Sequence, residues 1–170
     1  MSTKGIVRAL LIFGILALNI SCDQVSKSIV RNKIEEDEHI SVVNNYVTLM
    51  RVENKGAFLS LGDSLPKPVR FILLSLVPLC VLGFGIGYLF SKTSLPKLSV
   101  LGFAFVIGGG IGNLYDRLVH GSVTDFLYID FVVFHTGIFN MADVSIMTGI
   151  FIVVIGSFVN RPKQDTAPVQ

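Results

Sequence analysis

Charged side chains are scarce in this chain. Asp, Glu, Lys and Arg make up 15% of the 170 residues, whereas a typical soluble domain has about 25%. The mean hydropathy is +0.68, which excludes an ordinary soluble domain and indicates a membrane protein. The formal net charge is only +2, and no basic cluster with interleaved aromatic residues is present. We therefore expect no nucleic-acid partner.

Metal-binding and disulfide-forming residues are equally sparse. The two cysteines, Cys22 and Cys80, lie in apolar runs and lack the spacing of metal ligands, which argues against a disulfide framework and a zinc site. The three histidines, His39, His120 and His135, are scattered along the chain, and none stands at a metal-binding interval. The sequence predicts no metal and no cofactor.

Long apolar runs dominate the chain and predict a mainly α, polytopic membrane protein in a single domain covering residues 1–170. Four transmembrane helices are expected at about residues 5–26, 69–90, 97–117 and 140–160. The second contains 20 uncharged residues, Phe71 to Phe90. The first has only 14, Ala9 to Cys22, and reaches spanning length only if Arg8 snorkels and the turn with Asp23 and Lys27 is included.

Two segments outside the spans, at about 27–68 and 118–139, are predicted to be extracytoplasmic. Ile40–Val43 and Tyr46–Val52 are β-branched and aromatic runs around Asn44-Asn45, a pattern typical of a β-hairpin. Ala57–Leu65 is amphipathic and is predicted to form a short interfacial helix before Pro66. In the second segment, apolar and polar residues alternate enough to predict one more strand of a small sheet.

Four spans put both termini on the same side of the membrane. Lys and Arg are denser in the tails and in the short segment 91–97 than in the long segment 27–70. By the positive-inside rule, we expect both termini in the cytoplasm. Eleven of the twelve acidic residues lie at or between the opposite ends of the spans.

A glycine-rich run, Gly108 to Gly112, precedes a polar cluster at the end of the third span. Gly108 and Gly112 form a GxxxG pattern, which is typical of close helix packing. A phosphate-binding loop is disfavoured because a preceding strand and a following Lys-Ser/Thr are both missing. Asn113, Asp116 and Arg117 follow at helical spacing and share one face of a helix.

Four aspartates lie at or near the outer ends of the spans, where acidic residues are functional candidates. Asp23 is four residues before Lys27, and the two are predicted to pair in a structural role. Asp125 and Asp143 have no local cationic partner. Two facing carboxylates hold a proton between them and can act as base and acid in amide hydrolysis without a metal.

Other readings of these residues remain open from the sequence. A serine–lysine pair at Ser26 and Lys27 is disfavoured because adjacent helical residues do not face each other. Acylation of Cys22 after a lipoprotein signal is disfavoured by Asn19 at the −3 position and by the three spans that follow. A small ion- or proton-coupled carrier using membrane-edge aspartates is the alternative function, although carriers usually show internal duplication.

Five motifs, in this order around the four spans, resemble those of the lipoprotein signal peptidases (signal peptidase II), which are aspartic endopeptidases of the bacterial inner membrane. The motifs are Asp23-Gln24-Val25-Ser26-Lys27, Asn54-Lys55-Gly56-Ala57-Phe58, Gly109-Gly110-Ile111-Gly112-Asn113-Leu114-Tyr115-Asp116-Arg117, Val123-Thr124-Asp125-Phe126 and Phe139-Asn140-Met141-Ala142-Asp143.

The resemblance implies that Asp125 and Asp143 are the catalytic pair. It also implies the reaction, removal of the signal peptide of diacylglyceryl-modified prolipoproteins just before the lipidated cysteine, with the active site toward the extracytoplasmic face. The implied substrate-binding residues are Asn54, Gly56, Asn113, Arg117 and Asn140, and the supporting residues are Asp23, Lys27 and Asp116. The expected partners are these prolipoproteins and membrane lipid, with a monomer as the default state.

Overall fold

The computed structural model describes residues 3–36, 38–43, 46–57, 60–131 and 133–159. Four helices are long and apolar enough to cross a membrane, which confirms the predicted fold class. They are α1 (Thr3–Lys33), α2 (Lys67–Ser91), α3 (Lys97–Val119) and α4 (Met141–Val159). A small sheet contains β1 (His39–Val43), β2 (Val47–Asn54) and β3 (Val123–Ile129).

The sheet lies at one end of the helices, which we call the sheet end. The first and last described residues lie at the other, which we call the terminal end. The strands are antiparallel and in the order β1-β2-β3, which confirms both the hairpin and the strand predicted in the second segment. Asn44 and Asn45 fall outside the described residues.

One predicted element differs from the structure. Helix α1 continues to Lys33, past the predicted end at residue 26, because its last turns pack their apolar side against the sheet. There Val30 and Ile34 form a buried cluster with Phe126 of β3. The interfacial helix predicted at 57–65 falls partly outside the described residues, at Phe58 and Leu59, and so stays a prediction. Of the described part, Ser60 is 3₁₀-helical and residues 61–64 form turns.

Helix α2 contains a π-helical turn at Ile72–Leu76. Pro78 follows two residues later and has no N–H group, so the carbonyl of Leu74 cannot receive the usual helical hydrogen bond from it. The wider turn accommodates this break. At the other end of α2, the Arg8 guanidinium donates to the carbonyls of Leu89 (2.8 Å) and Lys92 (2.9 Å) and satisfies carbonyls at a helix C-terminus.

The glycine run places α3 at the centre of the bundle. A Cβ at Gly108 would lie 2.9 Å from Asn19 of α1, one at Gly110 would lie 2.7 Å from Leu82 of α2, and one at Gly109 would overlap the carbonyl of Ala142 in α4. Three other helices therefore approach α3 closely at successive positions, as the packing interpretation of the run predicts. Large apolar side chains on the outer faces, such as Leu18 and Phe84, remain exposed.

Candidate active site

Asp125 lies on β3, beside the end of β2. Its Oδ2 accepts a hydrogen bond from the Asn54 side-chain amide (2.9 Å), and its Oδ1 accepts one from the Asn140 side-chain amide (2.6 Å). The side chain faces inward because β3 is buried from Val123 to Phe126, and Asp125 is only 5% exposed. The carboxylate is thus held by two side-chain donors from two different elements.

Asp143 lies in the first turn of α4, and Asn140 is the residue that precedes this helix. The Asn140 side-chain oxygen accepts a hydrogen bond from the Asp143 backbone N–H (3.1 Å), and Asp143 Oδ2 accepts one from the Asn140 backbone N–H (3.1 Å). This reciprocal pair is the capping-box arrangement, with Asn and Asp in place of the more frequent Ser and Glu. The cap fixes the Asp143 carboxylate beside the helix N-terminus.

Both carboxylates line one cavity of about 130 Å³ at the sheet end. Asn140 connects them, because its side chain binds Asp125 while its backbone binds Asp143. Asn54, Asn113 and Arg117 line the same cavity. The structure therefore brings together the two acids and all of the predicted substrate-binding residues that present a polar side chain.

Asn113 has a fixed amide orientation. Its Oδ1 accepts hydrogen bonds from the Lys27 ammonium (2.9 Å) and the Asn140 amide (3.1 Å). With the oxygen held in this way, its Nδ2 donates to Asp143 Oδ1 (2.9 Å). The two donors to the Asn113 oxygen settle which end of this amide faces Asp143.

A buried ion network lies behind Asn113. The Lys27 ammonium pairs with Asp23 (2.8 Å) and Asp116 (3.0 Å), and all three side chains are 0% exposed. The predicted pairing of Asp23 with Lys27 is present in the structure. Asp116 also pairs with Arg31 (2.9 Å) and does not line the cavity, although it shares a helix face with Asn113 and Arg117. Buried charges persist only when they are paired and hydrogen-bonded, which this network provides.

Asp23 also reaches the helix that carries Asp143. Its second oxygen, Oδ1, accepts a hydrogen bond from the Ala142 backbone N–H (2.9 Å). The carboxylate therefore satisfies one of the free N–H groups in the first turn of α4. Its position supports the predicted structural role, since it ties α1 to the turn that presents Asp143.

Arg117 and Gly56 meet through the backbone. Arg117 Nη2 donates to the Gly56 carbonyl (2.9 Å), and the Gly56 N–H donates to the Asn54 side-chain oxygen (2.9 Å). A Cβ at Gly56 would lie 2.5 Å from the Ser60 carbonyl group. Only glycine permits this close approach. Gly56 thus holds Arg117 and Asn54 in place through its main chain.

Comparison with known proteins decides the family. The family model described as signal peptidase (SPase) II matches residues 15–159. The chain belongs to the signal peptidase II family. This finding confirms the resemblance predicted from the five motifs.

Relatives and solved structures agree with the signal peptidase II assignment. A lipoprotein signal peptidase of Maridesulfovibrio salexigens is 33% identical over 86% of this chain and 94% of its own length. One of Sulfurihydrogenibium sp. is 36% identical over 84% of this chain and 88% of its own. Two solved bacterial membrane enzymes share the fold, with TM-scores of 0.80 and 0.75. The first covers 94% of both chains at 19% identity; the second covers 89% of this chain and 94% of its own at 22% identity.

Within this signal peptidase II fold, the two acids have different surroundings. The pKa of Asp125 is raised to about 6, chiefly by burial and to a smaller extent by the neighbouring Asp143 carboxylate, while the hydrogen bonds from Asn54 and Asn140 oppose the shift. Asp143 is half-buried and lies in the first turn of α4. The raised pKa lets Asp125 keep its proton at a pH where an exposed aspartate has lost it.

The other sequence readings have less support from the geometry. Ser26 donates to the Asp23 carbonyl (2.8 Å), while the Lys27 ammonium lies in the ion network. Over the part of the chain that the structure describes, no group of three or more His, Cys, Asp or Glu residues could hold a metal ion. A larger cavity of about 790 Å³ lies at the terminal end. None of its described lining residues is acidic, whereas the smaller cavity is lined by both Asp125 and Asp143.

Several residues of the site were not predicted. Asn19 and Arg31 extend the Asp23–Lys27 pair in both directions at four-residue intervals along α1, so helical spacing could have identified them. Asn19 accepts a hydrogen bond from Ser145 of α4 (2.5 Å), and Arg31 donates to Thr124 beside Asp125 (2.7 Å). Thr124 belongs to the quoted motif around Asp125, but no role was predicted for it.

Proposed function

We propose that this protein is an aspartic endopeptidase that removes the signal peptide of diacylglyceryl-modified prolipoproteins by cutting N-terminal to the lipidated cysteine. The observation that carries the proposal is the shared cavity of Asp125 and Asp143, joined through Asn140. Membership of the signal peptidase II family and the names of the relatives support the substrate class. The family match favours this reaction over the carrier alternative.

In the proposed reaction, a water molecule lies between the two carboxylates. Asp143, as the ionised base, takes a proton from the water, whose oxygen attacks the scissile carbonyl carbon. Asp125 holds the other proton and donates it to the carbonyl oxygen, which gives a neutral diol. Asp143 then returns its proton to the leaving nitrogen while Asp125 takes one back from the diol. The C–N bond breaks and both acids return to their starting forms.

The remaining residues position the substrate in this proposal. Asn54 and Asn140 hold Asp125 and offer amide groups beside it. Arg117 brings a guanidinium to the cavity wall, where it can bind backbone carbonyls of the peptide. Fixing the peptide in this way supplies a large share of a hydrolase's rate because it removes the entropic cost of alignment. The lipid chains of the substrate enter laterally between helices.

The proposed orientation places the sheet end outside the cytoplasm and both termini inside. Lys4, Arg8, Lys92 and Lys97 lie in short segments at the terminal end, where Lys and Arg are denser than in the long segment 27–70, and this difference in density agrees with the positive-inside rule. The active site then faces the extracytoplasmic side of the bacterial inner membrane. The proposed state is a monomer, since the cavity is lined by residues of one chain.

The deciding experiment is cleavage of a diacylated prolipoprotein by the purified protein in detergent, followed by mass spectrometry of the products. Asp125→Asn and Asp143→Asn should each lower turnover by about 1,000-fold or more, because each removes a proton-transfer group. Glu36→Gln removes a charge from a side chain that is 72% exposed and serves as the matched control.

Near-normal turnover by either aspartate variant would contradict the catalytic assignment. The same substrate without its diacylglyceryl group should stay uncut, and its efficient cleavage would contradict the proposed substrate class. A metal chelator should leave the rate unchanged, because carboxylates perform both proton transfers in this mechanism.

A further inference from the structure

A basic cavity lies next to the candidate active site, at the sheet end between the start of α2 and the end of α3. Its volume is about 320 Å³. Four of its eight lining residues are cationic: Lys55, Lys67, Arg70 and Arg117. Arg117 lines the catalytic cavity as well, so the two cavities share a wall. None of the five sequence motifs accounts for Lys67 or Arg70.

The charge of this basic cavity is strongly one-sided. Among the described residues, no Asp or Glu lines it. Arg70 donates to Asp63 through Nη1 (3.1 Å), but Asp63 is half exposed, and such exposed pairs are weak. Several cations around one concave surface attract a counter-anion, since low-dielectric walls strengthen their field.

The apolar part of the same cavity locates it at the membrane surface. Phe71 and Leu74, in the first turns of α2, form this part, and the Ser75 hydroxyl group lies beside them with 4% exposure. The neighbouring Ile72 and Leu73 are about half exposed, as expected for side chains that face lipid. Lys67 is the first residue of this span. The four cations therefore lie at the level of lipid headgroups, above an apolar floor.

The π-helical turn of α2, Ile72–Leu76, contributes two of the lining residues, Leu74 and Ser75. Such turns widen a helix locally and are frequent at functional sites. Here the wider turn places a small polar side chain, Ser75, on the wall of a basic cavity.

We propose that this cavity is a phosphate-binding site, filled by the headgroup phosphodiester of an anionic phospholipid. Depth favours a lipid over free phosphate as the source, because the cations stand where the span begins and an apolar floor lies below them. Basic pockets between transmembrane helices bind anionic headgroups on the cytoplasmic side of membranes, and the same charge chemistry applies to this cavity at the sheet end. The diacylglyceryl group of the proposed substrate carries no phosphate, so the cluster of cations is not explained by binding of that group.

The test measures lipid retention by the purified full-length protein, using native mass spectrometry after exposure to equal amounts of phosphatidylglycerol and phosphatidylcholine. The wild type should retain phosphatidylglycerol preferentially. Lys67→Gln/Arg70→Gln should reduce that preference by roughly 30-fold, if each cation contributes as cations near anionic membranes do. The control variant Lys33→Gln/Lys92→Gln removes two exposed cations elsewhere and should retain the wild-type preference for phosphatidylglycerol.

Three further arms make the outcome decisive. Thermal unfolding in phosphatidylcholine without phosphatidylglycerol checks that the double variant folds. If it does not fold, the single variant Lys67→Gln is measured in its place. Inorganic phosphate at millimolar concentration should not displace the bound lipid; efficient displacement would still support a phosphate site and assign the free anion as its source. The proposal is overturned if the double variant keeps the wild-type preference, or if these cations affect only the binding of acidic peptides. Because no substrate is cleaved in this experiment, its result is independent of the proposed peptidase function.

Discussion

Asn140 performs two separable tasks at the residue scale. Its backbone and side-chain oxygen cap α4 together with Asp143, and its side-chain N–H group binds Asp125 and Asn113. Asn140→Ser keeps a good capping residue but removes the N–H donor, whereas Asn140→Ala removes both.

We expect Asn140→Ser to leave thermal stability close to that of the wild type and to lower kcat/KM by about tenfold, the value of a buried hydrogen bond whose partner, Asp125, is left unsatisfied. Asn140→Ala should lower kcat/KM similarly and also cost about 1 kcal/mol of stability. Unfolding curves and cleavage kinetics on both variants separate the two tasks. Equal stability losses in both would mean that the capping interaction is unimportant.

The pKa of Asp125 predicts a pH dependence. Burial raises this pKa to about 6, and in the proposed reaction Asp125 must carry a proton. The protonated fraction falls as pH rises through that value, so kcat/KM should decrease above about pH 6, approaching tenfold per pH unit. A pH series with a substrate that does not titrate near the scissile bond measures this limb. A rate that increases steadily from pH 6 to 8 would reverse the roles of the two acids.

The same pKa has a consequence for stability. Because the folded-state pKa of Asp125 lies above its ordinary value of 3.8, the folded protein binds more protons than the unfolded chain between about pH 4 and 6. The contribution of Asp125 to stability is therefore complete below about pH 4 and is lost as pH rises through 6. The proposed function therefore requires an aspartate at position 125, where burial disfavours the charged form of its side chain.

At the scale of elements, the glycine run of α3 decides how closely the helices approach. A Cβ at Gly112 would lie 2.5 Å from the Asp23 carboxylate, which belongs to the buried ion network. By contrast, no described atom outside the surrounding helix backbone lies within 4 Å of the position of a Cβ at Gly83 in α2. Alanine substitutions at these two glycines therefore separate the effect of packing on stability from the effect of intrinsic helix propensity.

We expect Gly112→Ala to destabilise the protein by about 1–3 kcal/mol, as overpacking of a tight contact does. It should also lower activity, since it displaces Asp23 from the first turn of α4. Gly83→Ala should be neutral or slightly stabilising because alanine is the better helix former. Thermal unfolding and cleavage rates of both variants check this, and a neutral Gly112→Ala would argue against a close contact between α1 and α3.

For the whole molecule, the proposed orientation can be tested by labelling. In a Cys22→Ser/Cys80→Ser background, Val133→Cys and Thr93→Cys place single thiols at the sheet end and the terminal end. Val133 is 92% exposed. A membrane-impermeant maleimide added to intact cells should label Val133→Cys and leave Thr93→Cys unlabelled until the membrane is opened. The opposite pattern would invert the topology.

The sequence by itself determined the class of fold. Four apolar runs, a hairpin signal and a GxxxG pattern each depend on short-range spacing, so the helices and strands followed without knowledge of the tertiary structure. The five motifs identified the family and the candidate residues. The interfacial helix expected at 57–65 stays a prediction, because Phe58 and Leu59 lie outside the described residues.

The tertiary structure decided which groups meet. Asn140 binds Asp125 across 15 residues, and Asp23 binds the Ala142 N–H across 119, and no local pattern predicts such long-range pairs. The structure also separated Asp116 from its neighbour Arg117, since burial with Lys27 and Arg31 gives Asp116 a stabilising partner in the ion network. Short-range periodicity encodes the elements, whereas the environment of each acid depends on packing among all four helices and the sheet.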